Sequence, residues 1–151
     1  MAAFASKRLQ RELAELVKNP PHGIRLANSE KLDEWFMELN GAEGSLYEGE
    51  VFQLRFKFST SYPIDSPEVI FLPPAVPLHP HVYSNGHICL SILYDAWTPA
   101  LTTSSVCLSL QSMLSSCDKK ELPPDNANYV SRVGTWTSPK KSNWVFHDDT
   151  V

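Results

Sequence analysis

The stretch His79–Pro99, HPHVYSNGHICLSILYDAWTP, decides how the rest of the chain is read. It gathers His79, His81, His87, Cys89, an Asn85-Gly86 turn and Trp97. No helical or strand period runs through it for long, so it reads as a structured functional loop centred on Cys89. Taken alone, a cysteine between Ile88 and Leu90 is more often a small buried hydrophobe than a nucleophile, and the loop context reverses that order.

Working outward, Ser61–Pro67 (SYPIDSP) is a proline-stiffened loop, and Glu68–Phe71 beyond it supplies a short strand. Val51–Phe58 alternates strictly, with Phe52, Leu54, Phe56 and Phe58 on one face. Asp33–Leu39 around Trp35 and Gly23–Ala27 are two further strands, and glycine-rich, acidic 41–49 is the turn before the third. Local connections of this kind fit an antiparallel meander whose apolar face needs cover. Downstream, Val106, Leu110, Met113, Leu114 and Cys117 predict a helix over Thr103–Cys117, capped by Thr102 or Thr103. At the other end, Leu9, Leu13, Leu16 and Val17 predict a helix over Phe4–Lys18, stopped by Asn19-Pro20-Pro21. Lys7, Arg11 and Lys18 gather on its opposite side with Arg8 at the flank, which by itself reads as a solvated face.

After Leu122-Pro123-Pro124-Asp125 breaks the chain, Asn126–Arg132 is a short helix and 134–141 is loop-like. The expected class is α+β, with an N-terminal helix, a four-stranded antiparallel meander, an active-site loop, a central helix and a shortened C-terminal region. One domain spans 1–151, its core about 4–121 and its tail 122–151 set apart as mobile.

The 151 residues are 42% hydrophobic and 20% charged, ordinary for a globular domain, and a net charge of −4 argues against gripping nucleic acid by charge alone. No stretch approaches the ~20 apolar residues of a membrane span, and MAAFASKRLQRE turns charged before signal-peptide length. No membrane association is expected, and the location is cytoplasmic or nuclear. There Cys89, Cys107 and Cys117 stay reduced. His79, His81, His87 and Cys89 are also four potential zinc ligands, so a zinc-binding interaction domain is the alternative, although Pro80 stiffens the segment against a tetrahedral site.

His79-Pro80, Ile88-Cys89-Leu90 and Trp97-Thr98-Pro99 together resemble the active-site segment of ubiquitin-conjugating enzymes. Gly44–Gly49 (GSLYEG), Tyr62-Pro63, Pro67 and Phe71 are similar to other landmarks of that family, in the same order over roughly residues 5 to 117. The resemblance implies a relay. Cys89 takes the C-terminal glycine of ubiquitin as a thioester and passes it to an amine, which suits a thiol near its ordinary pKa of about 8.5.

By the same resemblance, Lys7, Arg8 and Arg11 dock the ubiquitin-activating enzyme and a ligase of RING or U-box type. Pro63, Ile64, Thr98 and Pro99 lie in the ligase's footprint, with Ile64 where the family often has an aromatic. Leu108, off the apolar stripe, corresponds to a leucine that cradles the carried ubiquitin. His79 is tied to backbone in the loop, while Asp118 and Glu121 lie where the family often places an acid facing the thiol, although solvated charges at a helix end are the favoured reading of both. No cofactor is implied, since ATP is used by the activating enzyme.

Two departures stand out. The family's usual His-Pro-Asn is His79-Pro80-His81 here, and the chain closes on Trp144-Val145-Phe146-His147-Asp148-Asp149. Both resemble W-type members, which the family associates with transfer to the α-amino group of substrates with free, flexible N-termini. His81, or Asn85 at the turn, then stands in for the missing asparagine as a hydrogen-bond donor at the reacting carbonyl, although Asn85-Gly86 is equally well explained as turn chemistry.

Overall fold

The structure, a computed structural model, describes residues 3–134 and 137–141. Helix α1 covers Ala3–Lys18 and ends where Pro20 forces Asn19 out of helical geometry. Four strands follow: β1 (Ile24–Lys31), β2 (Glu34–Asn40), β3 (Val51–Lys57) and β4 (Glu68–Phe71). They pair antiparallel in chain order, as the alternation predicts.

The register sets Trp35 against Phe56, Met37 against Leu54 and Leu39 against Phe52, and all six side chains are buried on one face. Removing each from water contributes roughly 2 kcal/mol. Helix α2 (Thr103–Ser115) helps to cover that face, with Cys107 Sγ 3.7 Å from Met37 Sδ. Thr102 is its cap: the side chain accepts from Ser105 N–H while Ser105 Oγ accepts from Thr102 N–H.

The buried side of α1 differs from the predicted stripe. Ala5, Leu9, Glu12 and Leu16 point inward, whereas Val17 is 69% exposed. Glu12 takes an inward position because three donors meet its carboxylate, which an apolar wheel does not detect.

The stretch after Leu122 is partly built into the core. Helix α3 (Asn126–Val133) buries Tyr129, and Ser84 N–H donates to Asn126 Oδ1 at 2.9 Å. A short 3-10 turn over Pro139–Lys141 lies beside β4. Trp144 to Asp149 fall outside the described residues.

Candidate active site

The loop around Cys89 is a narrow hairpin. Val82 bridges Ile88, Cys89 N–H donates to His81 O at 2.8 Å, and Tyr83 N–H donates to His87 O at 2.9 Å. Asn85-Gly86 forms its tip, with Gly86 at φ +92°. A side chain there would be strained by that backbone, and its Cβ would stand 1.9 Å from Phe71 O. Glycine therefore lets the tip press against the end of β4, where Phe71 N–H donates to Gly86 O.

His79 fixes the base of the hairpin. It is 3% exposed, its Nε2 donates to Met113 O at 3.0 Å, and its Nδ1 accepts from His81 N–H at 2.9 Å. Burial pushes its pKa down to about 4, so the ring is neutral and structural. His81 stands across the hairpin from Cys89, half-buried, its ring 5.6 Å from that of His79.

Asn85 departs from the expected donor role. It is 2% exposed, Nδ2 donates to Gly134 O at 2.8 Å, and Oδ1 accepts from His87 N–H at 3.1 Å. Its amide braces the turn against the segment after α3 instead of offering a donor to a substrate.

His87 is fully buried, with Nδ1 2.7 Å from Tyr129 Oη, and burial lowers its pKa. The zinc alternative therefore loses its ligand set, since His79 and His87 are turned into protein contacts. Among the described residues no three His, Cys, Asp or Glu side chains are grouped to hold a metal.

Cys89 is half-buried, whereas Cys107 is fully buried and its thiol pushed up to about 12. The Cys89 thiol is also not at its ordinary pKa. Burial first, and then the charge of Asp125, push it up to about 11.

Asp125 is the acid that sequence reasoning missed. Asp118 is exposed and Glu121 pairs with Lys119 at 3.4 Å, while Asp125 accepts from Tyr83 Oη at 3.0 and 3.1 Å and its charge acts on the Cys89 thiol. Tyr83 stacks on Tyr129 with centroids 3.9 Å apart, so α3 clamps the hairpin that carries Cys89. The one signal for this was Asp125-Asn126 opening a helix directly after two prolines.

The partner-facing residues divide. Lys7 and Arg11 are exposed on α1, but Arg8 is largely covered: Nε donates to Glu12 and Nη2 donates to Leu101 O, both at 2.7 Å. Ile64, Thr98 and Pro99 are exposed, whereas Pro63 is buried and offers only its carbonyl, which accepts from Trp97 Nε1 at 2.8 Å. A direct ligase contact by the Pro63 ring is therefore corrected to a bracing role. Leu108 is 55% exposed on α2, off the buried stripe as predicted.

The model of the ubiquitin-conjugating enzyme family matches residues 8–142. The chain belongs to that family. A probable ubiquitin-conjugating enzyme E2 W of Dictyostelium discoideum is 58% identical over the full length of both chains. The ubiquitin-conjugating enzyme E2 W of Caenorhabditis elegans is 51% identical, again over all of both. Among solved structures, the ubiquitin conjugating enzyme E2 UbcA1 from Agrocybe aegerita is 42% identical with a TM-score of 0.86, covering 91% of this chain and 99% of its own. As a member of this family, the chain is an enzyme that moves ubiquitin through a thioester.

Proposed function

We propose that Cys89 is the thiol that carries ubiquitin, and that the enzyme delivers it to the α-amino group of protein substrates with the help of a RING or U-box ligase. In the first step Cys89 Sγ forms a bond to the ubiquitin carbonyl carbon and the activating enzyme's sulfur leaves. In the second the substrate nitrogen forms the amide bond, the Cys89 C–S bond breaks, and the amine gives up a proton.

The observation that carries the choice of thiol is the hairpin, which holds a half-buried Cys89 opposite His81. Cys107 is sealed in the core, and Cys117 is engaged by Tyr47 Oη at 3.4 Å and by Lys119 O at 3.3 Å.

The choice of amine rests on proton chemistry. His79 and His87 are buried, neutral and hydrogen-bonded, so neither serves as a base at the thioester. At about pH 7.4 a lysine amine is ~0.1% free base and an α-amine about 20 to 30%. The α-amine therefore needs less help in losing its proton than a lysine does, and the W-type pattern of His81 in place of asparagine points the same way.

Incubation with activating enzyme, ubiquitin and ATP tests the thiol. A reductant-sensitive adduct should form on the wild type, and Cys89→Ser should convert it to a reductant-resistant ester. An adduct that survives Cys89→Ala and disappears in Cys107→Ala or Cys117→Ala would move the thioester elsewhere.

A further inference from the structure

We propose that Glu12 is a positioning residue that ties the ligase-facing loops to the start of α2, so that ligase-stimulated release of ubiquitin depends on it while unassisted release does not. The inference rests on the proposed function above. Glu12 is 6% exposed, and a buried carboxylate persists only where its lost hydration is replaced. Three donors replace it, each at 2.7 Å: Arg8 Nε and Tyr62 Oη to Oε2, and the backbone N–H of Thr103 to Oε1. They belong to α1, to the Tyr62-Pro63 loop and to the first residue of α2.

The contact with Thr103 is a helix cap supplied from another helix. The Thr102 side chain accepts from Ser105 N–H, so a further amide at the head of α2 is met by the Glu12 carboxylate, which also faces the positive end of the helix dipole. Arg8 closes the frame by donating to Leu101 O at 2.7 Å, its guanidinium 5.8 Å from the centre of the Tyr62 ring. Trp97 Nε1 donates to Pro63 O and so joins the two exposed loops to each other.

The tips of those loops, Ile64 and Pro99, thus stand on a frame whose shared acceptor is Glu12. Helix α2, held at its head by the same carboxylate, carries the exposed Leu108 within its first two turns. A ligase that presses on the tips acts through this frame on α2. A carboxylate that served only to stabilise the fold would affect assisted and unassisted release alike, which separates the two roles.

The test uses the full chain charged on Cys89, as wild type, Glu12→Gln, Tyr62→Phe and the double variant. Glu12→Gln keeps the shape but leaves one acceptor oxygen for three donors. Discharge onto a peptide with a free N-terminus is followed with and without a RING ligase over a range of ligase concentrations, and thermal unfolding is recorded on the same samples.

In Glu12→Gln the unassisted rate should stay within about twofold of wild type, the maximal ligase-stimulated rate should fall about tenfold, and the half-saturating ligase concentration should change less than about threefold. Tyr62→Phe should lose less in the same direction, and the double variant should be no worse than Glu12→Gln. Stimulation that stays at the wild-type level, or an equal fall in both rates, overturns the proposal. If Glu12→Gln does not fold, Tyr62→Phe alone decides by the same two rates. Failure of the underlying reading is distinct, because it appears in the wild type as absent charging or absent ligase stimulation, and it takes this inference with it.

Discussion

An anionic carboxylate beside a thiol opposes the thiolate, and Cys89 has Asp125 in that position. With the thiol pushed up to about 11, only on the order of 0.03% is thiolate at about pH 7.4. The resting sulfur is thereby guarded against oxidation, which proceeds through the thiolate. Asp125→Asn keeps an oxygen to accept from Tyr83 Oη while removing the charge. Because burial is the larger cause of the shift, alkylation of Cys89 by iodoacetamide at pH 8 should quicken only about two- to fivefold, with the rate–pH profile moved to lower pH. An unmoved profile would remove Asp125 from the thiol's electrostatic surroundings. Cys89 was legible from its loop context, but Asp125 was not, because it reaches the thiol only through the docking of α3 on the hairpin.

Strands β2, β3 and β4 were legible almost residue by residue, since a period of two is visible wherever one face is buried, as at Phe52, Leu54 and Phe56, whereas β1 runs to Lys31, four residues past the predicted Ala27, through polar residues that bury no continuous face. Helix α2 and its Thr102 cap followed from spacing in the same way. Helix α1 was misread at Val17, which is exposed because the buried face runs through Leu9 and Leu16 and leaves it to one side, and an apolar wheel gave no sign of Glu12, which is buried because it is paired. Asn85 was ambiguous for a related reason, since one amide suits a turn or a donor at a substrate, and only tertiary packing on Gly134 decides between them. The two loops that carry Ile64 and Pro99 project from this scaffold, joined by the Trp97–Pro63 hydrogen bond. Ile64→Lys or Pro99→Lys should leave charging of Cys89 within about twofold of wild type and lower ligase-stimulated discharge about tenfold, as expected when a central interface side chain is replaced by a charge. Unchanged stimulation in both variants would place the ligase elsewhere.

The whole molecule carries buried neutral histidines, and its stability follows their titration. His79 drops from 6.5 to about 4 on folding, so between those values the unfolded chain binds the extra proton. The contribution is complete above about pH 6.5 and is lost as pH falls toward 4, worth roughly 3 kcal/mol at ~1.4 kcal/mol per pH unit. The lowered pKa of His87 acts with the same sign. Urea midpoints should therefore hold steady from pH 8 to 7 and decline from 6.5 to 4. His79→Gln should start lower and decline less steeply, and an equal slope in the two proteins would contradict the assignment. The zinc alternative failed for the same physical reason: rings that brace a hairpin cannot also face a metal. What the sequence left open at this level is the amine, because the reacting partner is no part of the chain. The most direct measurement offers the charged enzyme two matched peptides, one lysine-free with an open, flexible N-terminus and one N-acetylated with lysines, and locates the product by mass spectrometry. Rapid discharge onto the first, through its α-nitrogen, and little onto the second is the expected result. Efficient modification of lysine in the acetylated peptide would contradict it.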